Sequence, residues 1–245
     1  MNCLVVSATT FEIRPFLSAC TLQKQEGDFL SRYVFRNFTL DVLIPGVGIM
    51  LTAFHLGRQL TAQHYDFAIN AGIAGTFNKN IPMGTVVNVT EDCISELGAE
   101  DGTNFLSVFE LGLMDPDTFP YRNGKLVNTN IRGWGMGDGR SEMGKQGVER
   151  FLKIAEKLPQ VSGITVNTAH GSIEGVERVI KQFNADIESM EGAAFIYACQ
   201  ASHIPCLQIR AISNHVEERN KSKWDMDLAL KNLNFFLIGL FNAKQ

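Results

Sequence analysis

The chain reads as an α/β protein with a mixed, mostly parallel central sheet flanked by helices, and three observations predict it. Short apolar, β-branched runs recur along the 245 residues, stretches of helical periodicity separate them, and polar or glycine-rich clusters follow the runs. Strands are expected over 3–6, 33–35, 40–44, 67–69, 85–89, 163–166 and 205–209, and helices over 11–19, 48–61, 146–157, 173–183, 191–202 and 225–241. Alternation of this kind lays strands parallel with helices on both faces. The closely spaced pair of runs around Asn37 adds an antiparallel hairpin, so the sheet is mixed.

Taken in order, the first strand starts almost at once and ends at Ser7, after which Glu12 stands at the start of the first helix. The 40–44 strand leads to Gly46-Val47-Gly48, where the 48–61 helix begins. The 67–69 strand leads to Asn70-Ala71-Gly72-Ile73-Ala74-Gly75, read as a glycine-broken strand end. The 163–166 strand precedes the polar segment 167–172. A strand–helix–strand unit then spans 187–194 and 205–214, with Glu191 opening its helix and Asn214 closing its last strand. In open α/β sheets ligands gather at the carboxyl ends of strands, and five such ends carrying polar or glycine residues define a site.

Residues 98–140 break the pattern with scattered glycines and prolines and the alternation Gly133-Trp134-Gly135-Met136-Gly137-Asp138-Gly139. A segment of this length without periodicity is read as a functional loop, and Phe105, Phe109, Phe119, Tyr121 and Trp134 favour an ordered one covering a ligand or packing on a second subunit. The length fits one domain over 1–245 with this loop-rich insertion.

A net charge of −4 and a pI near 5.8, with no basic cluster, argue against a nucleic-acid surface and point to a small-molecule partner. Five scattered cysteines imply reduced thiols rather than a disulfide framework. Cys199, His203 and Cys206 are near in sequence, but their spacing is no recognised metal pattern, so core packing is expected and no metal. The start of the chain lacks the apolar core of a cleaved signal, and the longest uncharged stretch, 42–57, is too short to span a bilayer. A cytoplasmic location away from membranes is expected.

Gly46-x-Gly48 and Gly72-x-x-Gly75 allow close backbone approach to a ligand, yet neither forms a dinucleotide fingerprint and no phosphate-loop lysine is present. No cofactor is expected. Glu191 begins a helix in an apolar segment and is therefore partly buried, and a pair of sugar hydroxyls would partner it; the plainer reading is a helix-capping glutamate. Glu12 is placed alike, and a carboxylate able to reach Arg210 can hold and deprotonate a water. Arg210 taken alone is equally the partner of a structural ion pair. His170, in Thr168-Ala169-His170-Gly171-Ser172, can stack on or hydrogen-bond a heterocycle, or be merely structural.

In order and spacing these residues resemble the nucleosidase branch of the purine nucleoside phosphorylase superfamily. The architecture is similar to that of methylthioadenosine/S-adenosylhomocysteine nucleosidases. The closer likeness is to futalosine hydrolases of menaquinone biosynthesis, carried by Ser213-Asn214, Glu96-Leu97-Gly98-Ala99-Glu100-Asp101-Gly102, Phe109-Glu110-Leu111-Gly112-Leu113 and Val216-Glu217-Glu218-Arg219-Asn220. The resemblance covers most of the chain apart from 98–140. It implies a nucleoside phosphorylase-like fold, a homodimer, and hydrolysis of a purine nucleoside with release of hypoxanthine.

The same resemblance assigns roles. Glu12 would activate the attacking water with help from Arg210, and Met190 and Glu191 would hold the ribose. It places Trp224 over the substrate tail; Gly72, Ile73, Ala169, His170 and Ser213 are further candidates for substrate contact. Asn214 departs from the family, standing where the methylthioadenosine enzymes carry the aspartic acid that protonates purine N7; Ile73 departs where they carry serine. Hypoxanthine can spread negative charge onto its 6-oxygen, so a neutral amide donating to N7 or O6 would suffice, and Asn214 therefore predicts a 6-oxopurine. Arg219 is the candidate for a substrate carboxylate, a solvated loop charge being the alternative. A phosphorylase is disfavoured because Glu12 would repel phosphate. A methylthioadenosine/S-adenosylhomocysteine or aminodeoxyfutalosine nucleosidase and a catalytically silent nucleoside-binding protein remain as rival readings.

Overall fold

The computed structural model describes residues 1–102, 104–128 and 142–242. The chain begins β1 (Asn2–Val6), α1 (Thr10–Ser18), β2 (Thr21–Glu26), β3 (Leu30–Phe35), β4 (Phe38–Leu43), α2 (Ile49–Ala62), β5 (Phe67–Thr76) and β6 (Val86–Asp92). A hairpin β7 (Gly98–Asp101) and β8 (Asn104–Ser107) follows, then β9 (Leu126–Val127), α3 (Glu142–Ala155), β10 (Gln160–Thr165) and α4 (Ile173–Phe183). The last elements are β11 (Ile187–Ser189), α5 (Gly192–Ala201), β12 (Cys206–His215), a 3-10 turn at Lys221–Lys223 and α6 (Met226–Asn242).

The main sheet runs β11-β10-β6-β12-β5-β1-β4-β3-β2, with β9 alongside β6. Strands β4, β1, β5 and β12 are mutually parallel, as apolar runs between helical layers should be. The expected open, mostly parallel sheet is corrected in two ways. The β12–β6 and β11–β5 pairings are antiparallel, and the second of these joins β11 back to β5, so β11, β10, β6, β12 and β5 close on themselves as a barrel-like ring.

Closure also explains a second correction. The segments 70–75 and 210–214 are not polar ends beyond short strands; they are the distal halves of β5 and β12, each 10 residues long. Glycine and alanine read locally as strand breakers, but here they let β5 curl, and a register shift between Ile212 and Asn214 bends β12 with it. A Cβ on Gly75 would sit 2.7 Å from Val216 Cγ2, so the close approach requires glycine there.

All six expected helices are present with ends shifted by a few residues. The polar edge strand β2 and the β7–β8 hairpin were not expected, since neither has an apolar face long enough to produce alternation. That hairpin and the turns through Val127 give order to most of the 98–140 segment; Gly133 to Gly139, with Trp134, lies outside the described residues.

On one face of the sheet α1, α3 and α6 bury Phe16, Phe38, Phe67, Phe151 and Phe241, whose rings pack at 5.1 Å for Phe67–Phe151 and 5.5 Å for Phe16–Phe241. Each such side chain contributes roughly 1.5–3 kcal/mol by leaving water. On the other face α2 and α5 enclose Leu56, Tyr65, Phe195, Ile196 and Cys199. The first five residues of α5, Gly192 to Ile196, are all buried, so its N-terminus is a rigid platform. Among the described residues no helix is long and apolar enough to cross a membrane.

Candidate active site

Glu12 sits in the first turn of α1, buried, with every hydrogen bond it accepts coming from residues that fix its position. Its Oε2 accepts from the Thr9 N–H at 3.0 Å, the Thr9 hydroxyl at 3.1 Å and the Ser7 hydroxyl at 3.3 Å, and its Oε1 accepts from the Ile73 N–H of β5 at 3.1 Å. Gly72 is what lets the carboxylate lie across β5: a Cβ there would be 2.8 Å from Glu12 Oε1.

Glu191 is the N-cap residue of α5, but its side chain does not cap its own helix. Its Oε1 accepts from the N–H of Gly48, the N-cap residue of α2, at 3.1 Å. Gly48 has a φ of 102°, which other residues rarely adopt, and the next amide, Ile49 N–H, is capped by Asn167 Oδ1 at 3.3 Å. The start of α2 thus points its amides at the site and favours negative charge there. Burial pushes the Glu191 carboxyl above its usual range, against the charge of Arg210 and the Gly48 amide.

Beneath Glu191 lies a fully buried carboxylate, Asp92. It accepts from Thr165 Oγ1 and from Gln208 Nε2, both at 2.9 Å, while Thr165 Oγ1 itself accepts the Ala193 N–H of α5 at 2.7 Å. A Cβ on Gly192 would stand 2.1 Å from Gln208 Nε2 and 2.3 Å from Asp92 Oδ2, so only glycine lets the chain enter α5 over this group. Burial pushes Asp92 up to about 6, against these hydrogen bonds and the charge of Arg210.

Arg210 is almost fully buried. It donates from Nη1 to the carbonyls of Asn70 and Ile209, at 3.3 and 3.1 Å, and from Nη2 to Asn70 Oδ1. The contact with Glu12 anticipated from the sequence is therefore not made; Arg210 reaches Glu12, Glu191 and Asp92 through its field. Burial lowers its pKa and those three carboxylates oppose the loss.

His170, in the loop after β10, pairs its Nδ1 with Glu188 Oε2 at 2.7 Å, and its backbone N–H donates to Glu188 Oε1 at 3.1 Å. Asn214 accepts the Ser213 hydroxyl at 2.8 Å and donates to the His215 carbonyl at 3.0 Å. Arg219 stacks over Trp224 with its guanidinium carbon 5.2 Å from the ring centroid, and its N–H donates to the Gly171 carbonyl at 3.1 Å.

These groups surround one cavity of about 390 Å³, within the range of small-molecule sites. Ten of the twelve positions singled out from sequence line it: Glu12, Ile73, Ala169, His170, Met190, Glu191, Ser213, Asn214, Arg219 and Trp224. Gly72 and Arg210 do not; Gly72 meets the cavity only through Glu12, and Arg210 lies behind it. Sequence reasoning passed over Glu188, Thr9 and Asp92. Glu188 had a signal, a charged residue two positions before Met190, but its partner is 18 residues away. Cys199 and Cys206 pack in the core, and among the described residues no His, Cys, Asp and Glu group could hold a metal ion.

The geometry has counterparts among known proteins. A family model described as Phosphorylase superfamily matches residues 4–240. Futalosine hydrolase of Thermus thermophilus is 27% identical over 220 residues, 89% of this chain and 88% of that protein. The 5'-methylthioadenosine/S-adenosylhomocysteine nucleosidase of Buchnera aphidicola is 25% identical over 202 residues, 81% of this chain and 71% of that one. Among solved structures, the corresponding nucleosidase of Neisseria meningitidis in complex with methylthio-immucillin-A superposes with a TM-score of 0.74 at 19% identity, covering 98% of this chain and 97% of that one, a likeness of fold. With its model matched almost end to end, the chain belongs to the phosphorylase superfamily.

Proposed function

We propose that this protein hydrolyses the N-ribosidic bond of futalosine, releasing hypoxanthine and the dehypoxanthine product, in menaquinone biosynthesis. It is an N-glycosyl hydrolase, as are its futalosine hydrolase and methylthioadenosine/S-adenosylhomocysteine nucleosidase relatives. The observation that carries the hydrolytic reading is the Glu12 carboxylate, held by Thr9 and Ile73 at the wall of a cavity that Glu191 also lines, near enough for the two charges to act on each other. Two carboxylates repel phosphate and suit a water.

In this reading Glu12 takes a proton from the water that attacks C1' of the ribose. Glu191, braced by Gly48, grips the ribose hydroxyls and tolerates the oxocarbenium charge that develops between the two acids. Met190, Gly72 and Ile73 shape the sugar side, while Ala169, His170, Ser213 and Asn214 meet the base. Asn214 favours a 6-oxopurine over the 6-aminopurine of methylthioadenosine, which makes the methylthioadenosine type the second reading. Arg219, spread over Trp224, receives a carboxylate on the substrate tail. The reaction as written needs water and no cofactor.

We assign the protein as a cytoplasmic homodimer with one domain over 1–245. Supporting the dimer, Met50 and Phe54 of α2 are 75% and 58% exposed beside Val47 and Phe11 at the cavity rim, an apolar patch that a second copy would cover. Chromatography of reactions with futalosine, aminodeoxyfutalosine, methylthioadenosine and inosine, each without and with phosphate, tests the activity. Hypoxanthine from futalosine without phosphate is the expected result. Adenine release points to the second reading, phosphate dependence to a phosphorylase, and silence on all four to a binding protein.

A further inference from the structure

Breaking an N-ribosidic bond leaves an electron pair on the base, and a proton delivered as the base departs lowers the barrier. The cavity is chemically two-ended. The carboxylates Glu12 and Glu191 line only the main cavity. His170, Asn214, Arg219 and Trp224 line it too and also an adjoining cavity of about 450 Å³ that reaches neither carboxylate. This second end carries Glu217 and Glu218 as well as Arg219 and Lys223, so a departing base is met there by individual hydrogen-bond donors rather than by a net positive field. At that second end Asn214 can hydrogen-bond but has no proton to transfer, and the Arg219 guanidinium does not deprotonate. An imidazole can give and regain a proton near neutral pH.

His170 is also held as an acid would be. Its side chain is 14% exposed and that of Glu188 7%, with Nδ1 and Oε2 2.7 Å apart. Glu188 belongs to β11, so the carboxylate is anchored in the closed sheet, and it also takes the His170 backbone N–H, fixing the loop that carries the ring. With Nδ1 committed to Glu188, Nε2 is left without a hydrogen bond among the described residues and is the nitrogen available to a ligand. A carboxylate on Nδ1 fixes the orientation of the ring and aims Nε2, the logic of an acid–base histidine with an orienting partner.

We propose that His170 is the general acid for the departing purine, with Glu188 as its positioning residue. The inference rests on the hydrolase reading and deepens it. As the bond from C1' to N9 breaks, its electron pair passes to the base and the Nε2 proton of the imidazolium passes to purine N7. The water supplies its oxygen to C1' and a proton to Glu12. The base leaves neutral, the sugar gains a hydroxyl, and the proton on Glu12 is exchanged through solvent for the one His170 gave up.

Methylation at N7 removes the need for this proton, because 7-methylinosine already carries positive charge on its base. Wild type, His170→Gln and Glu188→Gln would be assayed at saturation on futalosine, inosine and 7-methylinosine in phosphate-free buffer. We expect kcat on futalosine and inosine to fall about 100-fold or more in His170→Gln and about tenfold in Glu188→Gln, with kcat on 7-methylinosine kept within about threefold. Equal slowing of all three substrates by both variants would overturn the proposal in favour of a structural pair. An unchanged futalosine rate in His170→Gln would overturn it in favour of Asn214 acting alone. Glu188→Gln keeps the shape of the side chain and decides the matter should His170→Gln not fold. Failure of the wild type on all three substrates is seen before any variant is compared, and it removes the hydrolase reading instead.

Discussion

The side-chain amide of Asn234 is spliced into helix α1 at Glu12: its Nδ2 donates to the Glu12 carbonyl at 2.8 Å and its Oδ1 accepts the Phe16 N–H at 2.9 Å. In an uninterrupted helix those two backbone groups would bond each other. Pro15 disturbs this turn by lacking an N–H, and Asn234, buried on α6, fills the gap from 222 residues away. The turn that carries the carboxylate is thus set by the last helix of the chain.

Replacing Asn234 by alanine leaves the Glu12 carbonyl and the Phe16 N–H buried without partners. Each costs about 1–3 kcal/mol, so Asn234→Ala should be destabilised by roughly 2–6 kcal/mol in urea unfolding. Because Glu12 rides on that turn, kcat should drop more than KM rises. A variant as stable and active as wild type would refute the splice.

Asp92 gives stability a pH dependence of known sign. Its folded carboxyl, pushed up to about 6 by burial, binds a proton more tightly than the same group in the unfolded chain, near 4. The folded state therefore holds more protons between those values, and stability falls as pH rises through about 4 to 6 and then levels, by on the order of 3 kcal/mol. Asn at this position cannot ionise, and Gln208 Oε1, which has no hydrogen-bond partner among the described residues, can turn to accept its amide. Unfolding midpoints from pH 4 to 7.5 should lose this component of their slope in Asp92→Asn; a slope identical to wild type would place its origin elsewhere.

At Asn214 the prediction concerns preference rather than rate alone. With His170 supplying the N7 proton, Asn214 reads the 6-position: its amide donates to a 6-oxygen, whereas the carboxylate of Asn214→Asp accepts from a 6-amino group, so the ratio of kcat/KM for aminodeoxyfutalosine to that for futalosine should rise by about tenfold or more, on the order of 1.4 kcal/mol in relative barrier. No change in that ratio would remove Asn214 as the reader of the 6-position.

Arg219 is predicted to act through the substrate tail. Its guanidinium lies flat on Trp224 and forms no ion pair among the described residues, leaving its donors for a carboxylate. Arg219→Ala should raise KM for futalosine by about tenfold or more, corresponding to a charged hydrogen bond of 1.5–3 kcal/mol, and leave KM for inosine within about twofold. Equal changes for the two substrates would withdraw the assignment.

Much of this was legible in the sequence for a definite reason. The α/β class, the six helices and most of the sheet follow from periodicity, which records which face of each segment is buried. Glu12, Glu191, His170 and Asn214 stood out because each is a polar residue set in an apolar or glycine-rich context at a change of element. What periodicity cannot encode is which buried faces meet. The return of β11 to β5, the burial of Arg210 against Asn70 instead of Glu12, the clasp of Glu188 on His170 and the splice of Asn234 into α1 join residues distant in the chain. The order of residues was enough to name the chemical groups and the elements that carry them. Their partners were settled by the way the chain closes on itself, because buried polar groups must find hydrogen bonds wherever the closed sheet brings a donor and an acceptor together.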